Sequence, residues 1–410
     1  MRKIVKLSLA TLALLTTGVS AADNLSDAFK NTKASGEVKA AYINSNFLGS
    51  KESDSIGSVG GRLGIVTDEL KGFKAGATFQ TSHVLHDGIN YTDLSPIPPF
   101  NVNGANQRTN SFNASGSVLS ESYLEYTLSN TSLKVGRQFI TTPLVSSALP
   151  GKSSEALIKD SFQAYVLTNT DIPDTTIVAA YVTQYQQISD GEGNIGDFKE
   201  FQDGAGSIFV KNNSIKDTTL QVQYLTEKGK TSAQDKNVLY FQADYKIKGH
   251  TLSAQYLASK DKTQATDAQD ATVFGLKATG PLGIWKLRYI VAYTASTDKK
   301  GAAYLGAGEG TSDTLFTAMP VHGGGVPARA DTNTIVGAMV VPTPIITLIG
   351  YVGQSASSTH VLGDVTAMGV LGIYPIMKNL QLKMDYEHVK VEKIITENTD
   401  TTRAYLSYKF

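Results

Sequence analysis

Thr401-Thr402-Arg403-Ala404-Tyr405-Leu406-Ser407-Tyr408-Lys409-Phe410 closes the chain, with Ala404, Leu406, Tyr408 and Phe410 on one parity and polar residues on the other. Such a segment is one strand wide and apolar on a single face. A sheet that spans a membrane must satisfy every backbone group internally, so its last strand pairs with its first and leaves no edge. A terminal aromatic on the apolar parity suits the membrane interface. The ending therefore predicts a transmembrane β-barrel, and the rest of the sequence is read against that expectation.

The beginning sets the destination. Arg2, Lys3 and Lys6 precede an apolar run from Leu7 to Leu15, and Val19-Ser20-Ala21 supplies the small residues of a cleavage site. This is the pattern of a secretory signal peptide, with cleavage expected after Ala21. A membrane-spanning helix needs about 20 apolar residues, roughly twice what this run offers. Residues 1–21 are thus predicted to be removed, leaving 22–410 as a single outer-membrane barrel domain outside the cytoplasm.

The 410 residues include 37 basic and 37 acidic side chains, so no net charge draws the chain to nucleic acid. Cysteine is absent, which excludes disulfide staples and thiolate chemistry in an exported chain. No linker or change of composition divides the sequence. The uncharged stretch from Ile335 to Gly353 approaches the length of a membrane helix, but Pro342 and Pro344 lie in its middle. Two strands joined by a tight Pro-Thr-Pro turn fit better.

Period-2 alternation marks about eighteen candidate strands. The clearest are 73–83, 120–128, 218–226, 238–247, 250–258, 284–295, 379–389 and 401–410. Soluble sandwiches alternate too, so the connections decide. Short ones occur near 69–72, 130–131, 214–215, 248–249, 280–282, 342–344 and 375. Long ones lie between them, near 84–119, 141–160, 188–203, 227–235, 261–270, 297–330 and 390–400. That asymmetry of short and long connections is the mark of an outer-membrane barrel, with periplasmic turns on one side and external loops on the other.

At Asn24-Leu25-Ser26-Asp27-Ala28-Phe29-Lys30 leading into Ser35-Gly36-Glu37-Val38-Lys39, at Leu133-Lys134-Val135-Gly136-Arg137-Gln138-Phe139-Ile140-Thr141-Thr142-Pro143-Leu144, and at Asp160-Ser161-Phe162-Gln163-Ala164-Tyr165, the chain resembles the Opr-type (OprD-like) outer-membrane porins, especially the major porins of Campylobacter-like bacteria. The resemblance in architecture covers essentially the whole mature chain, although the motifs are short. It implies an eighteen-stranded barrel, often a homotrimer, whose third external loop folds inward and sets the pore diameter. Here that loop would be about 142–159, with Lys152, Glu155 and Lys159 facing a narrow path. An ordinary loop lying over the mouth is the alternative.

Parity places charges opposite the lipid-facing set. Arg62, Glu125, Lys277, Lys286, Arg288, Lys383, Asp385, Arg403 and Lys409 are predicted to line the lumen or its rims, because a charge on the lipid face costs about 2–4 kcal/mol at the midplane. Most would be solvated wall residues, and a few would set selectivity. Arg137 shares parity with Leu133 and Val135, so it either snorkels at the strand end or is turned inward by a bulge. Tyr42, Phe73, Phe79, Tyr126, Tyr224, Tyr245, Tyr256, Trp285, Tyr293, Tyr386, Tyr408 and Phe410 would form interfacial girdles; a carbohydrate-stacking track inside the pore is the competing reading.

His83-Val84-Leu85-His86-Asp87 has metal-like spacing but lacks a fourth ligand nearby. The glycine runs at 306–310 and 323–325 are not followed by a helix or a Lys-Ser/Thr pair and so are not phosphate loops. No nucleophile, base and orienting group come together as catalysis requires. The expectation is a passive channel for ions and small hydrophilic solutes in the outer membrane of a Gram-negative bacterium, in contact with lipid and lipopolysaccharide, with no cofactor and no nucleic-acid partner. A substrate-specific channel for a small charged nutrient and a structural or adhesive barrel are the alternatives.

Overall fold

Alternating side chains and short turns leave the backbone one way to satisfy all its hydrogen bonds, a ring of antiparallel hairpins. The computed structural model describes residues 22–45, 54–88, 114–147, 157–190, 193–297, 301–319, 326–358, 363–392 and 398–410. Residues 1–21, expected to be a signal peptide, lie outside them. A short helix, α1 (Leu25–Lys30), precedes eighteen strands. The first nine are β1 (Lys33–Ser45), β2 (Asp54–Val66), β3 (Phe73–Asp87), β4 (Gly116–Leu128), β5 (Thr131–Gln138), β6 (Ser161–Asn169), β7 (Thr175–Gln186), β8 (Phe198–Asn212) and β9 (Thr218–Glu227). The second nine are β10 (Lys236–Ile247), β11 (His250–Asp261), β12 (Asp270–Pro281), β13 (Arg288–Ser296), β14 (Thr332–Pro342), β15 (Thr347–Ser357), β16 (Val365–Met377), β17 (Leu380–Val391) and β18 (Thr399–Lys409).

Each strand pairs with its sequence neighbours, and β1 also pairs with β18, so the sheet closes without an edge. Beyond the last ladder pair, the Phe410 N–H donates to Gly36 O and the Gly36 N–H to Phe410 O, at 3.1 and 3.0 Å. The Phe410 ring lies directly over Gly36, where an added Cβ would fall 2.3 Å from the ring. Only glycine leaves that seat open, so the terminal aromatic and a residue near the start of β1 fix the seam together.

Turn chemistry explains the short side. At β10–β11 the two linking residues, Lys248 and Gly249, both take positive φ, 47° and 84°, as a two-residue hairpin turn requires. Between β14 and β15, Thr343 and Ile346 close the turn through Thr343 N–H to Ile346 O at 3.0 Å. Pro342 is the last residue of β14, so the apolar stretch around it is two strands, as its prolines imply. The strand expected over 284–295 begins later, at Arg288. Trp285 and Lys286 both take positive φ in the preceding turn, which breaks the alternation, and Trp285 is 90% exposed there. Likewise β16 runs past Pro375 with a register shift, so its turn falls later than the proline suggests.

The two faces differ as parity predicts. Val38, Leu63, Phe79, Leu124, Leu239, Leu276, Val352 and Leu406 stand on the outer face and stay substantially exposed, while their chain neighbours point inward. Soluble monomers rarely expose a continuous apolar patch beyond a few hundred Å². An apolar belt around a closed ring is instead what a bilayer solvates. Most of the expected girdle aromatics lie on this face, with Phe73 and Tyr126 in ring contact at 4.5 Å. Among the described residues no helix is long and apolar enough to cross a membrane. An eighteen-stranded ring is too wide for its wall side chains to fill.

Candidate pore

Two external loops occupy part of that width. Leu144 and Val145 of the β5–β6 loop, and Ala303, Ala307 and Leu315 of the β13–β14 loop, pack against the inner wall around Leu225, Val238, Leu257 and Val273. Leu144 and Leu315 are completely buried, and burying each stabilises the insert by about 1.5–3 kcal/mol. The loops also bond to each other. Ala307 N–H donates to Leu144 O and Ser146 N–H to Ala307 O, both at 2.9 Å, around a parallel bridge between Val145 and Ala307. The wall from about β6 to β13 is thus covered from inside.

The far arm of the β5–β6 loop lands on the opposite side. Leu157 packs with Ala41, Ile43, Ile56 and Tyr405, on β1, β2 and β18. One arm therefore rests near β9 and the other near β1, half a turn apart around the ring. Lys152 and Glu155 lie outside the described residues. Lys159 is described, and its Nζ lies 5.6 Å from the centre of the Phe139 ring.

Asp160 joins the pieces at the base of this arm. Its carboxylate is completely buried and accepts from Tyr185 Oη at 2.8 Å, Ile188 N–H at 3.1 Å and Glu309 N–H at 2.5 Å. Burial and the neighbouring Glu309 push this carboxyl well above the usual carboxylate range, against the pull of those three donors.

The rest of the inner wall, from β17 through β18 to β5, carries the charge. Glu37 is the hub: Arg62 reaches it at 3.1 Å, Lys409 at 3.9 Å and Lys39 at 4.0 Å. Asp385 stands opposite Arg403 in the β17–β18 register, and Lys383 points to the same side from β17, 5.7 Å from the centre of the Tyr405 ring. Further round, Glu125 faces Lys74 and Lys134 across its two neighbouring strands. Lys134 lies over the Tyr123 ring at 3.6 Å and 4.0 Å from Glu121.

The sequence-predicted residues divide into groups. Arg62, Glu125, Lys383, Asp385 and Arg403 stand on the inward parity of this wall, with Lys383 and Asp385 buried. Lys277 also points inward, but beneath the insert, with Phe316 of the β13–β14 loop 4.0 Å from its Nζ. Arg288 is on the inward parity at the turn-side end of β13, exposed. Lys286 is not on the wall at all, since the positive-φ turn carries it past the strand's start. Arg137 faces outward with no bulge in its pairing to β4. It lies 4.1 Å from the Phe198 ring centre and donates to Leu119 O at 3.3 Å, which is the snorkelling arrangement. In the His83 to Asp87 segment, His86 Nε2 meets Ser55 Oγ at 2.9 Å, and no metal-ligating group forms among the described residues.

Parity would have found Lys39 and Lys134, which alternate with apolar neighbours, whereas Glu121 lies between Ser120 and Ser122. No sequence signal distinguishes the inward, 1%-exposed glutamines Gln80, Gln223 and Gln255 from other polar wall residues.

Burial, followed by the nearby Arg62 and Lys39, pushes the Lys159 ammonium down to about 8. A lysine whose folded value is depressed loses its charge in the folded protein before the unfolded one would, so the cost of keeping it charged is present below about 8 and relieved above it. Raising the pH through about 8 is expected to remove one cation from the pore and lower its anion-to-cation permeability ratio. Reversal potentials in a salt gradient check this, and Lys159→Met should abolish the step. An undiminished step in that variant contradicts the assignment.

No protein-family model matches the sequence, and no curated protein sequence matches it. Solved structures do match in shape. Pseudomonas aeruginosa OccK3 (OpdO) superposes with a TM-score of 0.70 at 14% identity, covering 94% of this chain and 97% of that one. Acinetobacter baumannii OccAB4 gives 0.70 at 14% identity, covering 93% and 98%. Pseudomonas aeruginosa OpdK with vanillate gives 0.71 at 13% identity, covering 93% and 99%. At these identities the similarity establishes the eighteen-stranded barrel fold.

Proposed function

We propose that this chain is an outer-membrane porin, a water-filled channel through which ions and small hydrophilic solutes diffuse down their own gradients. The observation that carries this reading is a closed eighteen-stranded ring, apolar outside and charged along part of its inner wall, with a loop anchored on two opposed sides. A ring of this size leaves an aqueous passage, and charged walls around a narrowing select by size and field. The mature chain, exported after removal of residues 1–21, would lie in the outer membrane of a Gram-negative bacterium among lipid and lipopolysaccharide, as a homotrimer. The mechanism calls for no cofactor and no catalytic group.

Liposome swelling tests the reading. Proteoliposomes should swell in small sugars and amino acids at rates that fall with solute size, whereas vesicles holding folded protein that do not swell would argue for a structural barrel.

A selective channel for a small anionic solute is the second reading. It is favoured by the cluster of Lys39, Arg62 and Lys159 at the landing of the loop arm, and OpdK, crystallised with vanillate, is a barrel of the same fold. Glu37→Gln should discriminate, because it removes the negative charge shared by Arg62, Lys39 and Lys409. Reversal potentials are expected to move several-fold toward anions in that variant. No movement would exclude this wall segment from the selective path.

A further inference from the structure

Loops that enter a wide lumen lose the ladder partners a strand would supply, yet their backbone N–H and C=O groups must still be paired where water is excluded. Three side chains of the wall supply that pairing. Gln80 on β3 accepts from Lys159 N–H at 2.9 Å and donates to Lys159 O at 2.9 Å. Gln223 on β9 accepts from Leu144 N–H at 2.8 Å and donates to Thr142 Oγ1 at 2.8 Å. Gln255 on β11 accepts from Phe316 N–H at 2.7 Å and donates to Thr314 O at 3.2 Å.

Each amide spends its second N–H on the wall itself: Gln80 on Ser120 Oγ at 2.6 Å, Gln223 on Ser207 Oγ at 2.9 Å, Gln255 on Tyr240 Oη at 3.4 Å. A primary amide has two donors and one acceptor oxygen, so all three side chains are fully engaged. The placement is systematic. One amide holds each arm of the β5–β6 loop, and the third holds the β13–β14 loop that bonds to the first arm.

We propose that Gln80, Gln223 and Gln255 are positioning residues that hold both inward loops against the wall and thereby set the aperture of the pore. This rests on the porin reading. The described arms already lie on the wall, so a released arm can move only into the open passage. Loss of a clasp therefore produces closures, and not a wider pore.

The test is single-channel recording of Gln80→Leu, Gln223→Leu and Gln255→Leu beside wild type and Gln221→Leu, a substitution on the same face of β9. Heat-modifiable electrophoretic migration confirms that each barrel is folded. Each clasp variant should show a roughly tenfold rise in the closed-to-open ratio, equivalent to about 1.4 kcal/mol, while Gln221→Leu behaves as wild type. Gln223→Glu supplies a readout that a purely structural role would not move. Its carboxyl keeps the acceptor for Leu144, and protonation restores one donor, so its closures should decline toward wild type as the pH falls. Folded clasp variants with unchanged openings overturn the proposal, as does a Gln223→Glu variant insensitive to pH. A wild type that never opens overturns the porin reading first.

Discussion

Excising residues 302–318 from the loop between β13 and β14 is expected to raise single-channel conductance roughly twofold, because it removes mass from the narrow part of an aqueous path. The barrel ladder does not depend on this segment, since every strand keeps both of its neighbours. What is lost is the cover over Leu225, Leu257 and Val273, together with the partner of the Leu144 arm. The excised variant should fold, conduct more and be noisier, with the remaining arm held by Gln223 and its own packing on the wall. Stepwise conductance in a planar bilayer reads the effect, and a variant that folds with unchanged conductance would mean that this loop does not bound the passage.

The second large effect contrasts two adjacent residues of β10. Phe241 stands on the outer face, and Gln242 points inward between Tyr240 and Asp244, accepting from Tyr240 at 2.6 Å and donating to Asp244 at 2.7 Å. Phe241→Arg is expected to cost about 2–4 kcal/mol, the penalty for a cation facing lipid near the midplane. Gln242→Arg places the same charge in the lumen beside Asp244 and should cost less than about 1 kcal/mol. Equilibrium denaturant titrations of each variant folded into vesicles measure the difference. Equal costs would mean that the outer face is not solvated by lipid.

These contrasts follow from a pattern legible in the sequence. Period-2 alternation and the alternation of connection lengths were sufficient for the strand number and the closure through Phe410. The rule failed where the backbone leaves the strand. Lys286 has the parity of a wall residue and sits in a turn, because two consecutive positive-φ residues reset the phase before Arg288. Lys277 has the right parity but is covered by Phe316, a long-range contact that no local pattern encodes. The same limit hides the inward course of the loop between β13 and β14, which is rich in glycine and small residues and reads as exposed. Its burial depends on an apolar inner wall assembled from several strands. The glutamine clasps are hidden for a similar reason, since an inward polar residue reads the same whether it meets water or a loop backbone.

The most direct test is single-channel conductance of the purified, folded protein in a planar bilayer, with the reversal potential read across a salt gradient. Stepwise openings of uniform size, with a potential that shifts when Glu37 or Lys159 is neutralised, are the expected result. Protein shown to be folded that gives no openings would contradict the pore and leave a barrel whose loops close the lumen.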